Sequence, residues 1–454
     1  MPSRTIIAIL TFVVLIMSLR ALPGDRWRMQ PDLGSVLDFQ PRDLPALPPA
    51  LPKLAPTKYS PHSKAPIVAA GLTAPAGSLD RFYQSLWRTE NHVPGAVTRI
   101  LHYGDSPVTA DSITADARSL FHNAFGDAGH GFVLIAKPWA WYGHRGIELK
   151  GKGWKIEAAS QSRARDGFHG LGGVSFTGSA GAYSEVTLPD RLHTRVEVQY
   201  LKEPDGGVFS VEAGETVLGE VHTSSETKEP AFTDFDLPAQ TKTVTVRVTA
   251  GTTRLFGWQF EKVGPGVEYD SLGLNGAQVQ MALRSFEPGQ WGVELQHENP
   301  DLIVLNYGTN ESVYPDYIDK LYEKELTALV LRIRKLAPQS PLLIMSPMDR
   351  GVRDSLGNIV TPSVLPQIVE IQARVAAANG LAFFNTYESM GGAGTMAKWY
   401  SKTPRMVSAD FMHPLPQGAA IVGRLFEDGL TKGYTQFKQN RMNERTQVAV
   451  KTAQ

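Results

Sequence analysis

The chain has 454 residues, 42% of them hydrophobic, which suits two or three domains with a sizeable core. Its 45 basic and 45 acidic side chains give a formal net charge of +0, without the basic footprint that nucleic-acid binding requires. It contains no cysteine, which removes disulfides, thiol catalysis and cysteine-ligated metals together.

The chain opens with Arg4 followed by an apolar run from Thr5 to Leu19. A basic start and about 15 apolar residues suit an export signal, and fall short of the roughly 20 that a full span wants. Residues 1–24 are read as a signal anchor or signal peptide, with the membrane as partner and the periplasm or cell envelope as destination. Residues 31 to 66 then hold nine prolines, a composition that excludes helix and inner strand. Residues 25–77 are read as a linker.

Val97 to Tyr103 is a β-rich run that ends in Gly104-Asp105-Ser106, and helical spacing follows over Ser112 to Phe125. Strand, tight turn, serine and helix place a nucleophile at the carboxyl end of a parallel strand. Between about Gly146 and Val263 the texture changes to short alternating segments parted by turns such as Asp205-Gly206-Gly207. That pattern predicts an antiparallel, jelly-roll-like β-sandwich at 146–265, inserted between two parts of an α/β domain at 78–145 and 266–436. In the second part, Asp301 to Tyr307, Leu342 to Met345 and Leu381 to Asn385 read as buried strands. Helices alternate with them at Tyr317 to Ala337, Val364 to Asn379 and Gln417 to Leu430. The expected fold is a parallel sheet with helices on both faces, and 437–454 reads as a polar tail.

Four polar runs fall where strands of such a sheet would end: Gly104-Asp105-Ser106, Gly273-Leu274-Asn275-Gly276-Ala277, Gly308-Thr309-Asn310-Glu311 and Asp410-Phe411-Met412-His413-Pro414. Acyl transfer needs a hydroxyl, an imidazole within hydrogen-bond reach, a carboxylate to hold the imidazole, and preorganised donors for the oxyanion. Ser106, His413 and Asp410 supply the first three. The backbone N–H groups of Ser106 and Gly276 and the side-chain amide of Asn310 are the candidate donors. Pro414 restricts His413 to extended geometry. The plainer readings are a turn for Gly-Asp-Ser, a helix cap for Asn310, and a shaping role for Asp105, which would accept backbone N–H groups at the elbow.

These runs, in this order, resemble the SGNH (GDSL-type) hydrolase superfamily over about residues 80 to 145 and 266 to 435. Ser106 matches its nucleophile, Gly276 and Asn310 its second and third motifs, and Asp410 with His413 its D-x-x-H pair. The resemblance implies a three-layer α/β/α flavodoxin-like domain. With a β domain inserted after the first motif, the layout is similar to bacterial periplasmic peptidoglycan O-acetylesterases. Two positions depart from that group: Pro107 stands where histidine is frequent, and Glu311 where aspartate is common.

Among the remaining candidates, Trp139, Trp141 and Tyr142, with His144, form an aromatic cluster that suits either a glycan groove or packing between the domains. Arg163, Arg165 and His169 are weaker candidates. His102 reads as a packed strand residue. The glycine-rich run around His130 lacks the Gly-Lys-Ser/Thr of a phosphate cradle, and no metal-ligand cluster is present. The expectation is a serine esterase needing no cofactor or metal, acting on an acetylated cell-envelope glycan through an acetyl-serine. A polysaccharide O-acetyltransferase with the same triad and a non-catalytic glycan-binding envelope protein are the alternatives.

Overall fold

The computed structural model describes residues 65–161, 164 and 166–453. The apolar N-terminal segment, the proline-rich run up to residue 64, Arg163 and Arg165 lie outside them. Among the described residues no helix is long and apolar enough to cross a membrane.

Two strands, β1 (Ile67–Ala69) and β2 (Leu72–Ala74), come first, ahead of the expected start of the domain at residue 78. Helix α1 (Asp80–Glu90), strand β3 (Val97–Gly104), the short helix α2 (Ser106–Thr109) and α3 (Ser112–Phe125) follow. The next nine strands are β4 (Gly129–Leu134), β5 (Glu148–Ala158), β6 (Val174–Thr187), β7 (Arg195–Lys202), β8 (Val208–Ala213), β9 (Thr216–His222), β10 (Glu229–Asp236), β11 (Thr243–Ala250) and β12 (Thr252–Glu261). The α/β pattern resumes with β13 (Gly266–Gly273), α4 (Val279–Ser285), α5 (Pro288–Glu298) and β14 (Leu302–Asn306). A π-helical stretch at Ile318–Tyr322 leads into α6 (Glu323–Leu336), so the expected long helix is broken at its start. Then come β15 (Leu342–Met345), the small hairpin β16 (Val352–Arg353) and β17 (Ile359–Val360), α7 (Val364–Ala378), β18 (Ala382–Phe384), α8 (Thr386–Ser389), α9 (Thr395–Tyr400) and α10 (Pro416–Ala453). The tail expected from residue 437 is thus helical, continuing α10 to Ala453.

The main sheet runs in the order β1-β2-β18-β15-β14-β3-β13. Its five strands β13, β3, β14, β15 and β18 are parallel neighbours, while β2 runs antiparallel along β18. Counted along the chain, the parallel strands take the order 2-1-3-4-5, the flavodoxin-like arrangement, and the order reverses between β3 and β14. Alternation within each strand splits the core. Ile100, Val267, Leu302 and Val304 face one apolar cluster with Phe121 of α3 and Phe426 of α10. Leu101, Leu272, Ile303 and Leu305 face another with Trp291 of α5, Leu326 of α6 and Ile368 of α7. Both faces of the sheet are therefore covered, which is why its strands read as unbroken apolar runs.

The inserted strands form one antiparallel nine-stranded sheet, and β4 belongs to it, although it lies ahead of the expected boundary at residue 146. The segment around His130 is therefore a strand, not a glycine loop. β6 changes partner along its length, from β12 at Phe176–Ser179 to β11 at Tyr183–Thr187, so the sheet turns a corner into two layers. Tyr200 of β7 meets Phe209 of β8 across them, ring centroids 5.2 Å apart. The interior of this insert is continuous with the second core cluster of the α/β domain, through Phe132, Trp258 and Phe260 beside Leu101 and Leu272.

Candidate active site

Ser106 opens α2 directly after β3. The chain turns tightly there because two glycines end neighbouring strands. A side chain at Gly104 would strike Val108, and one at Gly273 would lie 2.0 Å from the Thr109 nitrogen. Thr109 Oγ1 donates to the Gly273 carbonyl at 2.6 Å, and Ser271 Oγ to the Val108 carbonyl at 2.7 Å, so β13 grips the elbow. The serine lies at the carboxyl end of β3 beside the reversal of strand order, where open α/β sheets hold their ligands.

His413 reaches this point from a loop 307 residues further along the chain. Its Nε2 lies 2.7 Å from Ser106 Oγ, and its Nδ1 lies 2.6 Å from Asp410 Oδ2. The loop is wound around the carboxylate: Asp410 Oδ1 accepts the backbone N–H of Met412 at 2.9 Å and of His413 at 3.1 Å, with a further bond from the Ser408 hydroxyl. Phe411 takes a left-handed φ of 60° to make that turn. Burial alone would raise the Asp410 pKa, but the bonds from Ser408 and His413 outweigh it and hold the carboxyl well below the usual carboxylate range. Asp410 Oδ2 is therefore an ionised acceptor for the imidazole Nδ1–H. That leaves Nε2 as the base facing the serine, the arrangement that a hydroxyl nucleophile requires.

The candidate oxyanion donors surround the same point. The Ser106 and Gly276 backbone N–H groups have no hydrogen-bond partner among the described residues. Gly276 sits at φ 71° with open space where a side chain would stand. The Asn310 amide donates to the Ala277 carbonyl at 3.0 Å and, more weakly, to Asp105 Oδ2 at 3.4 Å. The carboxylate of Asp105 faces Thr309 and Asn310 and takes its own backbone N–H, and it forms no side-chain cap on α2. Burial pushes its pKa up to about 6, against the pull of Thr309 and His413.

Glu311, a departure from the common aspartate, is fully buried and joins two of the motif loops. Its carboxylate accepts Val279 N at 2.8 Å and Gly308 N at 3.0 Å, and burial raises its pKa to about 7. Neither this bracket nor the contact of Ser408 with Asp410 was read from the sequence; the signal was a short polar side chain two residues before the aspartate.

The aromatic cluster divides. Tyr142 is buried, its hydroxyl accepting Leu134 N at 2.9 Å, and His144 is buried against His130, 3.0 Å between ring nitrogens. Trp139 is partly buried against the core. Trp141 is 54% exposed, and its Nε1 donates to Asn275 Oδ1 at 3.3 Å, next to Gly276. His102 is packed as expected, its Nδ1 2.7 Å from the Tyr269 hydroxyl. His169 is buried against Phe286. Two carboxylate groups with metal-like spacing share Glu298, one with Glu197 and His297 and the other with Glu268 and Asp270. They gather where β7, β13 and α5 meet, not at the elbow.

Residues 242–421 match the family model described as GDSL-like lipase/acylhydrolase. That stretch takes in Gly276, Asn310, Asp410 and His413 and leaves out Ser106, which the insert separates from them. No curated protein matches the chain. A solved structure of a peptidoglycan O-acetylesterase matches with a TM-score of 0.70 at 22% identity, covering 80% of this chain and 99% of its own. A protein of Bacillus subtilis matches at TM-score 0.33 and 13% identity, over 63% of this chain and 90% of its own. A two-domain esterase active on acetylated mannans matches at TM-score 0.28 and 15% identity, over 37% and 40%. Residues 242–421 thus carry a match to GDSL-like acylhydrolases, which supports a hydrolase acting on esters, and the fold resembles that of a peptidoglycan O-acetylesterase.

Proposed function

We propose that the protein removes O-acetyl groups from a cell-envelope polysaccharide, with peptidoglycan the foremost candidate, through an acetyl-Ser106 intermediate. The observation that carries the mechanism is the unbroken line from Ser106 Oγ through the His413 ring to Asp410, at 2.7 and 2.6 Å. His413 Nε2 takes the serine proton as Oγ attacks the acetyl carbonyl, then returns it to the departing sugar hydroxyl. In the second half it deprotonates water, which releases acetate and restores the serine. The N–H groups of Ser106 and Gly276 receive the oxyanion, and Asn310 joins them by giving up its long bond to Asp105. Each such donor is worth on the order of 3 kcal/mol of barrier. Trp141, anchored by its Nε1 with its indole exposed beside Gly276, supplies an apolar face on which a sugar ring can stack. The apolar N-terminal segment supports placing the enzyme at the cell envelope, held to the inner membrane.

The test is acetate release from O-acetylated peptidoglycan and from other acetylated glycans, comparing wild type with Ser106→Ala. The expected result is release by wild type without any added sugar acceptor, and loss of at least about a thousandfold in the variant. Release at the wild-type rate by Ser106→Ala would overturn the mechanism. Acetyl transfer only when an acceptor sugar is supplied would make the protein an O-acetyltransferase.

A further inference from the structure

The sheet edge that presents Ser106 carries a cation the acyl-transfer chemistry does not use. Arg350 lies in the loop after β15, between the two loops that complete the site. Its Nε donates to Ser312 Oγ at 2.6 Å and its Nη2 to the Ser312 carbonyl at 3.1 Å, two residues beyond Asn310. The next residue, Gly351, donates its N–H to the Phe411 carbonyl at 2.8 Å, inside the turn between Asp410 and His413. Arg350 thus joins the Asn310 loop to the His413 loop.

Arg350 is only 6% exposed, yet its guanidinium forms no ion pair among the described residues. The charge of Asp349 beside it favours the charged guanidinium, but its carboxylate oxygens are engaged by Thr361 Oγ1 at 2.7 Å and Met396 N at 2.9 Å and form no ion pair with Arg350. Other sheltered guanidiniums are neutralised: Arg118 by Asp111, Arg145 by Asp116, Arg254 by Asp166. Burying a charge without an ion pair is costly, and burial here works against the charged form and outweighs the pull of Asp349. Of its five N–H groups, Ser312 takes two. Nη1 has no partner among the described residues and is not sealed from solvent. A planar fork with free N–H groups, held between the loops of Asn310 and His413, is the geometry that takes a carboxylate in two parallel bonds.

We propose that Arg350 is the subsite for a carboxylate carried by the glycan, so that the substrate class is an acidic acetylated polysaccharide rather than a neutral one. The proposal rests on the esterase reading above. The carboxylate would sit on the sugar itself or on a peptide attached to it; the chemistry at Arg350 is the same. Recognition of one carboxylate fixes the direction in which the chain crosses the elbow, and so which acetyl group meets Ser106.

The experiment uses the full chain and two acetylated oligosaccharides, one with free carboxylates and one with those carboxylates converted to primary amides. Acetate release gives kcat/KM for each. Wild type is expected to prefer the acid form by about 10- to 100-fold, mainly through KM, with the preference shrinking as salt rises. In Arg350→Gln the ratio of the two should fall to about 1, and Arg350→Lys should recover part of it. A third substrate with acids only on attached peptide separates the two sources, and a preference on either supports the proposal. Equal turnover of acid and amide forms by wild type would overturn it. So would an Arg350→Gln variant that slows both forms equally and leaves the ratio intact, because that is a structural role. Failure of wild type to release acetate from any of the substrates would instead sink the esterase reading.

Discussion

Asp410 does two things with its two oxygens. Oδ2 holds the His413 ring, while Oδ1 gathers the Ser408 hydroxyl and the N–H groups of Met412 and His413. Asp410→Asn keeps an oxygen for the loop but puts an amide donor against Nδ1, which favours the tautomer with its proton on Nε2. The loop should fold, and kcat should fall by about 10³- to 10⁴-fold with the thermal midpoint little changed. Steady-state acetate release alongside a melting curve checks it, and a variant within tenfold of wild type would show that the carboxylate does not set the tautomer.

At the scale of elements, the elbow depends on how closely α2 lies against β13. Gly273 has no room for a methyl group: an added carbon would sit 2.0 Å from Thr109 N and 2.4 Å from the Val108 carbonyl carbon, both backbone. Backbone cannot rotate aside as a side chain can, so Gly273→Ala must push α2 off the strand and carry Ser106 away from His413. We expect about 1–3 kcal/mol of lost stability and a drop in kcat on the order of 100-fold, since a shift of about 1 Å is enough for that. Wild-type turnover in a stably folded Gly273→Ala protein would mean that the elbow tolerates the displacement. The loop of Asp410 and His413 is buttressed in a similar way, by Gly351 bonded to Phe411 and by Arg353 stacked on its ring at 5.1 Å.

Across the whole molecule, the insert and the α/β domain meet over buried acids. Gln199 of β7 donates to Glu298 of α5 at 2.6 Å, and Gln259 of β12 bonds Glu268 of β13, with Arg99 as the cation among them. Burial, reinforced by Glu268, pushes Asp270 up to about 8, and burial raises Glu298 and Glu268 as well. An acid whose pKa is higher folded than unfolded binds its proton more tightly in the native state, so stability falls as pH rises from the unfolded value toward the folded one. Buried histidines act oppositely: burial lowers His102 to about 3 and His122 and His144 to about 4, so stability is lost as pH falls below about 6.5. Above that pH the histidines are neutral in both states and the acids alone set the slope. Stability should therefore fall between pH 7 and 8, on the order of 1 kcal/mol per pH unit, and Asp270→Asn should flatten the decline. Melting curves at those pH values decide it, and an equal slope in the variant would remove Asp270 as the cause.

Much of this was legible before any fold was known, because some features are local. Buried parallel strands are unbroken apolar runs, so β3, β14 and β15 stand out, and Asp410 and His413 sit close enough in sequence for one loop to carry both. The start at β1, the membership of β4 and the continuation of α10 were not legible, since strands of three residues and a polar helix leave weak patterns. The sequence alone determined that a serine and two donor loops end strands of an α/β sheet and that an aspartate–histidine pair precedes its last helix. Only the tertiary structure decided that they converge, because β3 pairs with β13 and β14 across an insert of nine strands. It also turned the Asp105 carboxylate toward Asn310, packed Tyr142 inside while leaving Trp141 out, and left Arg350 buried without an ion pair among the described residues. The meetings of Ser106 with His413 and of Asp105 with Asn310 span 307 and 205 residues of chain, a distance over which the linear pattern carries no information.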